Sequence, residues 1–134
     1  MIEATRSQRV LGSMSFGLAA VGFATALKGV SYFPPLKEPT RAPSHWLEHF
    51  IEMPVIGFAW LAIGLLCFVA IPKRRLRSTA WGLVMVLHAA WMMSFAMNWV
   101  LYQGRAWVSA LSYFTIVALI FWGLARQNRE VTEL

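Results

Sequence analysis

The chain has 134 residues, of which 58% are hydrophobic and only 13% charged. Soluble domains run at roughly 45–50% and 25%, so a disordered chain is excluded and a soluble enzyme domain is strongly disfavoured. The formal net charge is +6, but the basic residues stand at the ends of apolar blocks and not on one face, so nucleic acid is not an expected partner.

Four apolar blocks set the expected architecture: an all-α integral membrane protein of one domain, with spans at about 10–30, 53–71, 79–102 and 107–125. Each is long enough to cross about 30 Å of hydrocarbon at 1.5 Å per residue. Lipid offers no partner to a backbone amide, so all four spans are expected to be helices. Arg6 and Arg9 ahead of the first block, with Ala24-Thr25-Ala26 inside it, also fit a signal peptide. The expectation here is an uncleaved first span. Short connections around Pro72–Ser78 and at Gln103-Gly104-Arg105 predict an antiparallel bundle.

With the N-terminus inside, Arg6, Arg9, Lys73, Arg74, Arg75, Arg77, Arg126 and Arg129 lie on the cytoplasmic side, eight of twelve basic residues. Both termini are therefore expected in the cytoplasm, and the expected location is a bacterial cytoplasmic membrane. Tyr32, Trp99, Tyr102 and Trp107 fall near the outer ends of spans, Trp81 and Trp122 near the inner ends, as suits amphipathic rings at headgroup level. Trp60 and Trp91 lie deeper, where each indole N–H needs a partner.

The one long connection, about 31–52, begins with a proline-rich half, Pro34 to Pro43, expected to be extended. Its second half carries the most chemistry. On a helix over 45–53, His45, Glu48, His49 and Glu52 share one polar face, Ser44 is placed to cap it, and Pro54 ends it. Trp46 and Phe50, one turn apart, would anchor the other side. The plainer expectation is an interfacial helix with its polar face in water. The sharper one is a metal site, since His45 and His49 one turn apart with Glu52 and Glu48 form a donor set for zinc, iron or copper. The string His45-Trp46-Leu47-Glu48-His49 also matches the H-x-x-E-H pattern of inverzincin peptidases, although no distal glutamate in a soluble catalytic domain accompanies it.

His88 is the only ionisable side chain deep in a span. Its expected role is a hydrogen bond to a neighbouring helix or subunit. Sharing an iron with His49 is disfavoured by their difference in depth. The sequence has no aspartate and no glutamate in mid-span, which disfavours proton-driven export. The lone Cys67 excludes a CxxC redox pair. Small residues recur at helical spacing: Ser13 and Gly17, Ala20 and Ala24, Gly57 and Gly64, Ala90, Ser94 and Asn98, Ser109, Ser112 and Thr115.

These features make a non-catalytic accessory subunit of a larger membrane complex the first expectation, with lipids and other transmembrane subunits as partners and no cofactor. The alternative is a small binder or carrier of a lipid or other hydrophobic molecule, using His88, Asn98, Trp60 and Trp91. A second alternative is a metal-binding membrane protein built on His45, Glu48, His49 and Glu52.

Overall fold

The computed structural model describes residues 6–38 and 40–132, with side chains described for 14–38 and 40–125. Ser13 and the side chains of Arg6, Arg9, Arg126 and Arg129, used above for packing and orientation, lie outside the described side chains, and Pro39 outside the described residues. Four α-helices follow in order: α1, Arg6–Val30; α2, Met53–Ala70; α3, Arg74–Tyr102; and α4, Ala106–Thr132. A single 3-10 turn covers Trp46–His49, and no strand occurs among the described residues. Three segments are long and apolar enough to cross a membrane, Met53–Ala70, Arg74–Tyr102 and Ala106–Ala125. That is the signature of an integral membrane protein.

The boundaries follow local chemistry. Glu52 is extended at φ −61°, ψ 138°, and α2 starts beside it with Pro54 in its first turn, where the missing N–H costs nothing. α3 starts five residues before the expected boundary. The basic run Arg74, Arg75 and Arg77 is therefore its first turn, and only 71–73 connect it to α2. The helix ends at Gln103 (φ 62°) and Gly104 (φ 83°), a left-handed pair that turns the chain into α4. Residues 33–37 do not run extended as the prolines suggest. Leu36 and Lys37 both donate their N–H groups to the Phe33 carbonyl at 3.0 Å, winding the segment into turns.

α1 packs chiefly on α2, and α3 on α4 and α2, while α1 and α4 scarcely touch. The α1–α2 contact is set by missing side chains. A Cβ built on Gly64 would sit 2.5 Å from the Ala26 backbone nitrogen, one on Gly29 2.6 Å from that of Leu61, and one on Gly22 2.7 Å from Cys67 Cβ. Backbones this close gain dispersion and weak Cα–H···O contacts, the main attractions available between helices in lipid. Of the small pairs named in the sequence, Gly57 and Gly64 belong to this contact, and their α1 partners are Gly22, Ala26 and Gly29.

Two apolar clusters complete the interior. One joins Tyr32, Ile56, Trp60, Leu87, Trp91 and Phe95, and the other Leu18, Cys67, Ala70, Ala80 and Val84. Tyr32 is buried at 4% exposure, beneath Lys28 and Arg41. Phe16, Val86, Val100 and Phe121 stand exposed, as side chains facing hydrocarbon do.

The helix contact makes a sharp expectation. Gly64→Ala should lower stability by about 1–3 kcal/mol, because backbone and not a flexible side chain blocks the new methyl. Gly82→Ala, whose Cβ meets nothing within 4 Å, should change it by less than about 0.5 kcal/mol. The buried free thiol of Cys67 reports the difference through its heat-induced reactivity in detergent.

Candidate functional site

The polar groups of the 31–52 connection converge on Glu48, not on a water-facing helix. The turn Trp46–His49 has 3-10 geometry, with three residues per turn, so His45 and Glu48 project together while His49 and Glu52 do not follow them. His45 is 0% and Glu48 8% exposed, whereas His49 and Glu52 are exposed. The expected single polar face is thus split.

Glu48 has about four lone-pair positions on its two oxygens, and the structure supplies four neighbours. Arg41 Nη2 donates to Oε1 at 2.5 Å. The Ser44 N–H donates to Oε2 at 2.6 Å and Ser44 Oγ–H to the same oxygen at 3.1 Å. His45 Nε2 lies 3.3 Å from Oε1, a close polar contact without the alignment of a hydrogen bond. Burial by itself pushes the Glu48 carboxyl up, but the His45 contact and the Ser44 and Arg41 donors together outweigh it and hold the group down at about 2.

The network reaches α3 through Ser94, which is 2% exposed. Ser94 Oγ accepts the Leu47 N–H at 2.9 Å and lies 2.9 Å from His45 Nδ1. A hydroxyl keeps its O–H and a second lone pair after accepting one amide, so the ring's tautomer decides which partner donates in the Ser94–His45 contact. The order hydroxyl, imidazole, carboxylate is that of a nucleophilic triad. Burial denies Ser94 Oγ any approach by a substrate, so the chain of bonds acts as a tie between connection and helix. Trp91 and Phe95 enclose the His45 ring at centroid distances of 4.9 and 5.0 Å. Asn98 Nδ2 donates weakly to the Ser44 carbonyl at 3.5 Å.

His49 instead packs near Tyr102, with ring centroids 5.7 Å apart. Among the described residues no three His, Cys, Asp or Glu side chains are grouped to hold a metal ion. Trp46 is half-buried and its ring meets that of Phe50, 70% exposed, at 4.8 Å. Trp60, Trp91 and His88 pack on one another, Trp60 meeting Trp91 at 5.1 Å and His88 at 5.0 Å. His88 Nδ1–H donates to the Val84 carbonyl of its own helix at 2.8 Å, where the sequence suggested a neighbouring helix or subunit. Trp60 and Trp91 Nε1 have no hydrogen-bond partner among the described residues.

Sequence reasoning missed Arg41 and Ser94. The available signal was a charge balance: a carboxylate in so apolar a chain needs a cation, and Arg41 is the nearest one before Glu48 along the chain. Nothing in the sequence distinguishes Ser94 from the other small residues of its row.

Since Glu48 is lower in the folded state (about 2) than its ordinary 4.5, its stabilisation is present above pH 4.5 and disappears as pH falls toward 2. The loss should be at most about 3 kcal/mol, since Arg41 is partly exposed and screened. Glu48→Gln should flatten acid unfolding in that window, and Glu52→Gln should leave it unchanged. His45→Gln should destabilise the fold more than His49→Gln, as measured by thermal unfolding at neutral pH. No family model, no curated protein and no solved structure matches the chain.

Proposed function

We propose that the chain is a non-catalytic accessory subunit of a larger membrane complex, docking through the groove between α3 and α4. The observation that carries this reading is the isolation of α4. Its apolar segment Ala106–Ala125 has no buried residue, and it packs mainly on α3. Between the two helices runs an open groove of about 460 Å³ lined by Met92, Met93, Ala96, Trp107, Ala110 and Phe114. Ala96 and Ala110 leave room for close backbone approach, and the two methionines adapt to an irregular partner, so a transmembrane helix of another subunit is the occupant that fits. Ser112 and Thr115 bond to carbonyls four residues back, at 3.0 Å each, so both hydroxyls are satisfied whether or not a partner is present.

The same proposal takes the helices as an antiparallel bundle. The close approaches Gly22 to Cys67, Ala26 to Gly64 and Gly29 to Leu61, which run in opposite chain directions, support this. Both termini are taken as cytoplasmic, supported by the Lys/Arg bias, in a bacterial cytoplasmic membrane. The 31–52 connection then lies on the outer surface as a tied cap, with the Trp46–Phe50 pair at headgroup level.

Two experiments test this. Cysteines placed at Thr40 and Gln103 should label from outside intact cells, and one at Ser78 only after permeabilisation; labelling of Ser78 in intact cells contradicts the orientation. A photo-crosslinker at Met93 or Leu111 should give one discrete stoichiometric protein adduct, absent with the probe at Phe16 and lost when Ala96→Trp and Ala110→Trp fill the groove. Lipid adducts alone at all three positions refute the accessory reading.

A further inference from the structure

At the opposite end of the molecule the start of α3 meets α1 and the end of α2. Arg77 organises the junction: Nη2 donates to the Ile71 carbonyl at 2.5 Å and to Ser15 Oγ at 3.2 Å, and Nε to the Ala70 carbonyl at 3.4 Å. A cation over the last carbonyls of α2 complements the negative end of that helix. The remaining nitrogen, Nη1, is buried and has no partner among the described residues, and the same holds for Trp81 Nε1 one turn along α3.

Both residues line one cavity of about 500 Å³, together with Arg74, Ser78, Met85 and Leu124. A second cavity of about 370 Å³, lined by Gly17, Ala20, Leu119 and Gly123, shares Trp81 and Leu124 with the first. The two adjoin at these shared residues and together trace a path along the helices. Its mouth carries two guanidinium groups, a hydroxyl and an indole, and its inner part follows the crevice where α1 and α4 scarcely touch. Among the described residues, Cβ atoms built on Gly82 and Gly123 meet nothing within 4 Å, so no described side chain fills the space beside them. In a bilayer such a space does not stay empty, because its walls forfeit dispersion contacts without an occupant.

We propose that this path is a binding site for one anionic phospholipid, its phosphate held by Arg74 and Arg77 and one acyl chain lying across Trp81 into the α1–α4 crevice. A partner helix would have to place its own carboxylate against the two arginines, whereas basic pockets between spans suit acidic lipid headgroups directly. The site lies at the opposite end of α3 from the α3–α4 groove and shares no lining residue with it, so it stands or falls independently of the accessory-subunit reading.

The test uses the full chain purified in mild detergent and titrated with phosphatidylglycerol, phosphatidylcholine or inorganic phosphate, with bound lipid counted by native mass spectrometry. Phosphatidylglycerol should bind once per chain and roughly 30-fold tighter than phosphatidylcholine, at roughly 5-fold per arginine. Millimolar inorganic phosphate should not displace it. Arg74→Gln, an exposed position, should remove roughly 5-fold of the preference, and Arg74→Gln with Arg77→Gln nearly all of it. Gly123→Leu should weaken both lipids alike by occupying the acyl path. Cys67 protection confirms that each variant is folded, and because Arg77 also caps α2, Arg74→Gln alone decides the matter if the double variant unfolds. Equal binding of the two lipids, an unchanged preference in Arg74→Gln, or displacement by inorganic phosphate overturns the proposal.

Discussion

A carboxylate taken out of water in an apolar protein must be matched donor by donor, and Glu48 sets that demand here. An unpaired buried charge costs many kcal/mol, and a single missing donor costs a few. Arg41 and Ser44 come from the preceding stretch, and His45 from the position just before the turn. Because His45 and the Leu47 amide are both tied to Ser94, satisfying the carboxylate also fixes the connection over α3. Tyr32 shares the arrangement: its ring lies beneath the Arg41 guanidinium at 5.9 Å, and burial first of all pushes its hydroxyl up to about 12. The result is a cap tied to α3, in which the polar groups of Arg41, Ser44 and Glu48 satisfy one another.

Below the cap the architecture follows from what hydrocarbon does and does not drive. Apolar surface gains little by leaving lipid, so helices pair only where their shapes permit contact. The glycines of α1 and α2 permit it, and these helices lock together. α3 joins α2 through bulky rings, Trp60 against Trp91 and His88. α4 rests on α3, and no comparable surface draws it to α1. That asymmetry leaves the two openings, one apolar and one with a basic mouth, on which the functional proposals rest.

Much of the helical layout was legible in the sequence, because block length and the absence of charge are direct consequences of bilayer thickness. Pro54 marked the start of α2, and Gln103-Gly104 the turn before α4. The basic run at Arg74–Arg77 misled, since charged residues read as a loop also make a sound first helical turn when they reach the carbonyls of the preceding helix. The connection was the larger difference. Placing His45, Glu48, His49 and Glu52 on one face assumes 3.6 residues per turn. The 3-10 turn keeps the pair three apart together and separates the others. Burial of the pair depended on Arg41 and on Ser94, forty-nine residues further on, a pairing that no local pattern encodes.

The central claim is that the Glu48–His45–Ser94 chain acts as one structural tie between connection and helix. A double-mutant cycle tests it most directly: Glu48→Gln, Ser94→Ala and the combined variant, each unfolded in detergent and followed by exposure of Cys67. Residues in one network couple by about 0.5–3 kcal/mol, so the double variant should be less destabilised than the sum of the singles by an amount in that range. Additive effects within about 0.3 kcal/mol would mean that the carboxylate and the α3 hydroxyl act separately, and the account of the cap would be wrong.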